Sequence, residues 1–150
     1  MKATFGAGCF WHVEDLLSKT KGVTSTAVGY IGGQLPNPTY EEVCTAQTGH
    51  AEAVEVEFNP DEITYDALLD IFWSNHNPTT LNRQGPDVGN QYRSAIFYHD
   101  EIQKEIAEKS KQSLDSSKSF NDPIVTQIIP APKFYKAEEY HQKYFKKQGF

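Results

Sequence analysis

Residues 2–19 read KATFGAGCFWHVEDLLSK, and this stretch changes from strand-forming to helix-forming sequence within a few positions. The apolar pattern predicts a strand over Lys2–Ala7 and a short helix over Phe10–Lys19. Gly8 lies between the two, where a sharp turn of the backbone is needed. We therefore expect the chain to open with a strand that turns directly into a helix, with Cys9 at the start of that helix.

The rest of the chain continues the alternation of strands and helices. Alternating or continuous apolar residues predict strands at Val23–Ile31, Glu52–Phe58, Tyr92–Tyr98 and Ile124–Ile129. Helices are predicted to follow Thr64 and Asp100, which are suitable N-caps. A long loop over 77–89 and an aromatic, lysine-rich tail over 134–150 complete the chain. This order favours an α+β fold, a ferredoxin-like split βαβ sandwich with an appended helix and strand and a long C-terminal coil, although a differently packed single sheet stays possible.

Composition limits the classes of protein to which this chain can belong. A length of 150 residues, with 38% hydrophobic and 13% aromatic residues, predicts one folded domain over 1–150. The formal net charge of −6 argues against a nucleic-acid partner. No apolar run approaches the ~20 residues of a membrane helix, and the start of the chain lacks a signal-peptide core. With two cysteines and no disulfide framework, we expect a soluble, cytoplasmic protein.

Two residues are the leading candidates for chemistry. Cys9 lies at a predicted helix start, where backbone amides and the helix dipole lower the pKa of a thiol and favour a nucleophilic thiolate. Glu52 shares the strand face of Val54 and Val56, so burial would raise its pKa and keep a proton available for donation. Each has a structural alternative, a buried inert cysteine for Cys9 and a solvated strand end for Glu52.

Other side chains are weaker candidates taken singly. Tyr40 and Tyr92 are possible hydroxyl donors at loop ends, Asp87 lies in a turn-rich loop, and Phe10 and Trp11 could wall a small apolar pocket. The five histidines show no metal-ligand spacing, and the glycines around Cys9 do not form a nucleotide-binding loop, so neither a metal nor another cofactor is predicted.

Taken together, seven segments carry a resemblance to a known family. Gly8-Cys9-Phe10-Trp11-His12-Val13-Glu14 closely resembles the active-site motif of the peptide methionine sulfoxide reductase A family. The other segments similar to this family are Val28-Gly29-Tyr30 with Gly32-Gly33, Asn37-Pro38-Thr39-Tyr40 through Val43-Cys44, Thr48-Gly49-His50-Ala51-Glu52, His76-Asn77-Pro78-Thr79-Thr80, Gln91-Tyr92-Arg93-Ser94, and Phe134-Tyr135 through Glu139-Tyr140-His141.

The resemblance implies reduction of methionine S-sulfoxide, free or in peptides and proteins. Cys9 would attack the sulfoxide sulfur, and Glu52 would protonate the departing oxygen. The resemblance further implies that Tyr40 and Tyr92 donate hydroxyls to that oxygen. It also implies that Asp87 shapes the site and that Phe10 and Trp11 hold the substrate methyl. Glu14 is also part of the motif, but we expect it to be structural and not the acid.

The chain departs from many relatives at two positions. His12 replaces a common glycine and is expected to face solvent. No cysteine follows Cys44, which matches a position that is usually buried and inert in the family, so an external thiol such as thioredoxin, glutaredoxin or a small thiol is expected to resolve a Cys9 sulfenic acid. A Cys9–Cys44 disulfide is the alternative. A Cys-His acyl-transfer enzyme and a non-catalytic binder of oxidised methionine are less supported alternatives.

Overall fold

The computed structural model describes residues 1–149, and its centre is a mixed six-stranded sheet. The strands in chain order are β1 Lys2–Ala7, β2 Val23–Ile31, β3 Ala51–Phe58, β4 Arg83–Gln84, β5 Asp87–Val88, β6 Ser94–Tyr98, β7 Gln127–Pro130 and β8 Tyr135–Lys136. The main sheet has the spatial order β7-β6-β1-β3-β2-β8. Its pairs are antiparallel except β6 with β7, which run parallel. Strands β4 and β5 form a separate hairpin.

Five α-helices are found among the described residues. They are α1 Phe10–Ser18, α2 Tyr40–Cys44, α3 Tyr65–Ser74, α4 Glu101–Ser116 and α5 Tyr144–Lys147. Thr64 and Asp100 cap α3 and α4 through side-chain oxygens that accept backbone N–H groups, as their sequence positions predict. Thr39 and Glu42 form a capping box at the start of α2.

The main hydrophobic core lies between one face of the sheet and the helices α1, α3 and α4. It includes Phe5 and Val54 from the sheet and Leu17, Leu68 and Ala107 from the helices, all buried. A smaller cluster on the opposite face, formed by Ile31, Ala51, Ala53, Ala95 and Phe97, is covered by chain segments around β7 and β8. Because both faces of the sheet are covered, polar side chains that project from it can be shielded from solvent.

The turn between β1 and α1 depends on Gly8. Its φ of 92° lies in the left-handed region, and a Cβ atom there would lie 2.9 Å from the side chain of Gln84. The β4–β5 hairpin can therefore pack directly on the backbone that precedes Cys9. Cys9 itself is the N-cap residue of α1.

The structure adds the β4–β5 hairpin within the predicted 77–89 loop, and it moves the end of α1 and the start of β3 by one residue each. Four larger differences from the sequence-based elements concern α2, β6, β7 and the C-terminal tail. Helix α2 was not predicted, although its capping box is visible in the sequence. Tyr92 ends a 3-10 helix that begins at Asn90, so the following strand starts at Ser94 rather than Tyr92. The Val125 N–H donates to the Pro78 carbonyl instead of to a strand, so the last predicted strand starts at Gln127 rather than Ile124 and ends at Pro130 rather than Ile129.

The C-terminal tail is the fourth difference, because it is not a coil throughout. Strand β8 pairs with β2, a 3-10 helix follows at Glu139–His141, and α5 packs against α1. Residue 150, the last of the predicted tail, lies outside the described residues. The observed architecture over residues 1–149 is a mixed α+β fold with a central mixed sheet and five α-helices.

Residues 1–149 contain neither a membrane-spanning helix nor a cluster of potential metal ligands. No helix in this range has the length and apolar character needed to cross a membrane. Within the same range, no group of three or more histidine, cysteine, aspartate or glutamate side chains is placed to hold a metal ion.

Candidate active site

Cys9 is half-buried at the start of α1, below the β4–β5 hairpin. Burial raises the pKa of its thiol to about 11, and the carboxylates of Glu52 and Asp87 add to this rise, whereas the backbone N–H groups of Trp11 and His12 lower the pKa. The sequence-based expectation of a lowered pKa is therefore wrong for the free protein. The helix amides act in the predicted direction, but burial and two neighbouring carboxylates outweigh them.

Glu52 is a buried carboxyl on β3, with 1% of its surface exposed. Its Oε1 accepts the Phe10 N–H at 3.3 Å, and Phe10 is the residue directly after Cys9. Its Oε2 is buried and has no hydrogen-bond partner among the described residues. Burial raises the pKa of Glu52 to about 8, Asp87 adds to this rise, and the Phe10 N–H opposes it. The raised pKa favours the neutral carboxylic acid at neutral pH, and only one of its two oxygens is engaged by a hydrogen bond among the described residues.

Two tyrosine hydroxyls lie in the electrostatic field of this carboxyl. Tyr40 is the first residue of α2, and Tyr92 is the last residue of the 3-10 helix before β6. Burial raises the pKa of Tyr92 to about 12, and Glu52, Asp87 and Cys9 contribute to the rise. The pKa of Tyr40 is raised by burial, by a hydrogen bond with Cys44 and by Glu52. Both hydroxyls therefore remain protonated donors at neutral pH.

Asp87 approaches the site from the β4–β5 hairpin. It is half-buried, and its charge contributes to the raised pKa values of Cys9, Glu52 and Tyr92. The structure therefore brings together five predicted residues that are dispersed over more than eighty positions of sequence: Cys9, Tyr40, Glu52, Asp87 and Tyr92.

The two aromatic residues after Cys9 have different surroundings. Phe10 has 1% of its surface exposed and packs against the rings of Tyr30, Tyr40 and His141. Trp11 is half-buried, and its ring stacks on Tyr144 with centroids 3.8 Å apart. Phe10 is therefore mainly a core residue that supports the site, whereas Trp11 is the more accessible of the two.

Comparison with known proteins agrees with this geometry. A sequence model of the family described as peptide methionine sulfoxide reductase matches residues 1–149. The chain is 64% identical to the peptide methionine sulfoxide reductase MsrA of Methanothermobacter thermautotrophicus over 97% of this chain and 86% of that protein. The chain belongs to the peptide methionine sulfoxide reductase family. It is accordingly an enzyme, a peptide-methionine (S)-S-oxide reductase, that reduces methionine sulfoxide to methionine.

Solved structures show the same relationship. The fold matches reduced Mxr1 from Saccharomyces cerevisiae with a TM-score of 0.93 at 37% identity, covering 99% of this chain and 86% of that one. It also matches Mxr1 in a complex with Trx2 with a TM-score of 0.68 at 26% identity, covering 96% of this chain and 84% of that one.

The environment of the second cysteine corrects one sequence-based expectation. Cys44 is exposed at the end of α2 and is not the buried residue that its apolar neighbour Val43 suggested. Helix α2 directs Val43 into the core and leaves the next side chain outside. Desolvation nevertheless raises the pKa of the Cys44 thiol. Both cysteines are free in the structure.

The C-terminal segment of the reductase supplies two residues that sequence reasoning did not single out. The Glu138 carboxylate accepts the Tyr30 hydroxyl at 2.9 Å and the Tyr40 N–H at 3.0 Å. His141 is buried against the Tyr40 ring, and its Nδ1 accepts the Trp11 indole N–H at 3.0 Å. The motif around them contributed to the family resemblance, but no local pattern indicated that the tail returns to the site.

The remaining residues of the motif have structural surroundings. Glu14 is buried and accepts hydrogen bonds from the Thr26 hydroxyl at 3.0 Å and the Lys143 N–H at 2.5 Å, which fits the structural role expected for it. His12 is exposed, as expected, and contacts the ring of Phe145 edge-on.

Proposed function

We propose that this enzyme reduces methionine S-sulfoxide through nucleophilic attack by Cys9, with Glu52 as the general acid. The single observation that carries this assignment is the state of Glu52. Its carboxyl is buried beside the backbone of Cys9, has a raised pKa and leaves Oε2 without a partner. A sulfoxide oxygen is a poor leaving group until it is protonated, and a buried carboxylic acid can supply that proton at neutral pH.

The protons of the resting site balance the proposed reaction. Both groups are protonated at neutral pH, since the Cys9 and Glu52 pKa values are raised to about 11 and about 8. Glu52 donates its proton to the sulfoxide oxygen and receives the proton of the Cys9 thiol. The Cys9 sulfur then bonds to the substrate sulfur. The substrate S–O bond breaks, and formation of the S–O bond on Cys9 breaks the transient S–S bond, which releases the thioether with the electron pair. The products are methionine, reduced by two electrons, and a Cys9 sulfenic acid, oxidised by two electrons.

The surrounding residues bind and orient the substrate in this proposal. Tyr40 and Tyr92 donate hydrogen bonds to the sulfoxide oxygen, which becomes more basic as the sulfur is attacked. Asp87 shapes the pocket and supports the raised pKa of Glu52. Phe10 and Trp11 form the apolar contact for the substrate methyl, in which Trp11 is the accessible member of the pair.

An external thiol completes the cycle in this proposal. The thiol condenses with the Cys9 sulfenic acid to release water and form a mixed disulfide, and a second thiol frees Cys9. Thioredoxin is the favoured reductant, supported by the structural match to Mxr1 in a complex with Trx2. The alternative is attack by Cys44. Exposure of Cys44 makes this alternative accessible, but its raised pKa and its position at a helix C-terminus both disfavour the thiolate.

We further propose that residues 1–150 form a single domain with a ferredoxin-like arrangement of its central strands, and that the enzyme works in the cytoplasm. Within the sheet, β1 and β2 flank the antiparallel β3, and β6 lies on the other side of β1. This order supports the ferredoxin-like interpretation of the four central strands, to which the helices and the outer strands are added.

The decisive experiment incubates the protein with separated S and R epimers of N-acetylmethionine sulfoxide and dithiothreitol, followed by quantification of the product. We expect turnover of the S epimer. Cys9→Ser should eliminate turnover and keep the fold, because a hydroxyl cannot replace the thiol as a nucleophile at sulfur. Substantial reduction by folded Cys9→Ser protein would refute the assignment of the nucleophile. Binding of sulfoxide without consumption of thiol would refute catalysis.

A further inference from the structure

A cavity of about 440 Å³ opens beside Cys9 between α1, α3 and the β4–β5 hairpin. Its floor is formed by buried side chains that include Phe5 and Phe72, and its walls by the half-buried Val13, Leu16 and Ile71. Cys9 and Asp87 belong to its lining, whereas Glu52, Tyr40 and Tyr92 do not. The cavity is thus distinct from the three residues proposed to contact the sulfoxide oxygen, and Cys9 lies between the cavity and these residues.

The chemistry of the cavity fits an apolar ligand. Its volume lies in the range typical of small-ligand sites, roughly 300–1,000 Å³. Aliphatic and aromatic side chains provide most of its lining, and the charged or titratable groups around it, besides Cys9, are Asp87, His12 and His76. His76 bridges the Phe72 carbonyl and the Ser94 hydroxyl, and burial lowers its pKa to about 4, so it is neutral at physiological pH. Asp87 leaves the mouth unfavourable for an acidic ligand.

The geometry of the reaction determines which group can reach this cavity. The substrate sulfur must come within roughly 3–3.5 Å of the Cys9 sulfur to react. Methionine sulfur is separated from its own Cα by only two methylene groups, and adjacent Cα atoms are about 3.8 Å apart. A peptide that presents its sulfoxide to Cys9 therefore passes close to the cavity mouth, and a side chain next to the oxidised methionine can enter it.

We infer that this cavity binds an apolar side chain of the residue adjacent to methionine sulfoxide in peptide and protein substrates. The inference rests on the proposed function, since the cavity is defined by its position next to the nucleophile. The enzyme therefore reduces methionine sulfoxide next to an apolar residue with a higher kcat/KM than methionine sulfoxide next to glycine or aspartate. Burial of one leucine-sized side chain corresponds to a gain of about 10-fold or more in kcat/KM.

The test compares capped five-residue peptides that carry methionine S-sulfoxide next to leucine, glycine or aspartate, with the flanking residue placed on either side. N-acetylmethionine S-sulfoxide is the substrate that lacks a neighbour. We expect kcat/KM to be about 10-fold higher for the better leucine peptide than for its glycine counterpart, and lowest for the aspartate peptide. Equal values for the leucine and glycine peptides would overturn the inference.

Two wall variants, Leu16→Gln and Ile71→Gln, test the cavity directly. Each should remove most of the leucine preference and leave turnover of N-acetylmethionine sulfoxide within about 2-fold of wild type. Ile102→Gln is the matched control, because Ile102 is a 69% exposed aliphatic residue on α4 and is not part of the cavity lining. Its leucine preference should equal that of wild type.

Three results would contradict the inference in different ways. An equal loss for peptides and for N-acetylmethionine sulfoxide would show that the wall only supports the catalytic centre. A loss confined to thioredoxin-driven turnover, with dithiothreitol-driven turnover unchanged, would assign the cavity to the reductant. The third result comes from calorimetric measurement of peptide binding to Cys9→Ser protein, which requires no turnover. Equal affinities for the leucine and glycine peptides would refute the inference and leave the proposed function untouched.

Discussion

Replacement of Glu52 by glutamine should slow catalysis and remove a loss of stability that the wild type undergoes as the pH rises. Glutamine is nearly isosteric and keeps an oxygen that can accept the Phe10 N–H, but it has no acidic proton to donate. We expect Glu52→Gln to slow the single-turnover reduction of methionine S-sulfoxide by about 10²–10⁴-fold. In the wild type the same step should slow as the pH rises through about 8, because the acid loses its proton there.

The stability effect follows from the raised pKa of Glu52. Burial raises this pKa from 4.5 to about 8, so between these values the folded protein holds a proton that the unfolded chain releases. Wild-type stability must therefore fall as the pH rises through this interval, by up to about 1.4 kcal/mol per pH unit. Glutamine carries no such proton, so the free energy of unfolding of Glu52→Gln relative to wild type should increase by about 2.5 kcal/mol from pH 5 to pH 7.

Urea unfolding of both proteins at pH 5, 6, 7 and 8 measures this difference, and a single-turnover assay on the same preparations measures the rate. Glu105→Gln is the control, because Glu105 is an exposed carboxylate on α4 far along the chain from the site. Its unfolding free energy should follow that of wild type over this range. A Glu52→Gln rate within a few-fold of wild type would refute the general-acid assignment. Parallel stability curves would show that the folded protein does not hold the extra proton.

Three further predictions test the thiols and the tail. Alkylation of Cys9 by iodoacetamide, followed by mass spectrometry, should be slow at pH 7 and accelerate towards a midpoint near its pKa of about 11; a midpoint below 8 would contradict the effect of burial. The turnover rate of Cys44→Ser with dithiothreitol should be within about 2-fold of the wild-type rate. Wild-type protein treated with one equivalent of S-sulfoxide and no reductant should gain one oxygen on Cys9. A linked Cys9–Cys44 peptide would instead contradict the one-cysteine cycle. Glu138→Gln should lower kcat/KM by about 10-fold, since one acceptor of the Tyr30 hydroxyl or the Tyr40 N–H becomes a donor. Glu139→Gln is the control, and equal turnover of the two variants would argue against a positioning role for Glu138.

Sequence periodicity predicted the parts of the fold in which local pattern and burial agree. The alternation of Val54, Val56 and Phe58 placed Glu52 on the face that forms the main core, and the structure has it there, 1% exposed. Helices α3 and α4 begin after their predicted caps. These features depend on contacts close in sequence, or on a single buried face, so one stretch of residues is enough to indicate them.

Features that depend on distant parts of the chain were missed or misjudged. The Glu138 contact with Tyr40 spans 98 positions, and the Trp11 contact with His141 spans 130. Local turn chemistry gave no signal for either of them. The error about Cys44 has a local cause, because neighbouring side chains of the unpredicted helix α2 point to different sides of the helix, so Val43 is buried in the core while Cys44 is exposed.

The error about the Cys9 pKa has a different origin and bears on mechanism. A helix N-terminus lowers the pKa of a thiol when the opposing effects are small, and two N–H groups do act in that direction here. The same fold that places those amides also buries the thiol and sets it beside the carboxyl groups of Glu52 and Asp87. The same burial raises the pKa of Glu52, which keeps this carboxyl protonated, and the pKa of Cys9, which disfavours the thiolate. In the proposed mechanism, the acid Glu52 and the nucleophile Cys9 are therefore activated together, by proton transfer to the substrate oxygen, and neither needs to be ionised before the sulfoxide binds.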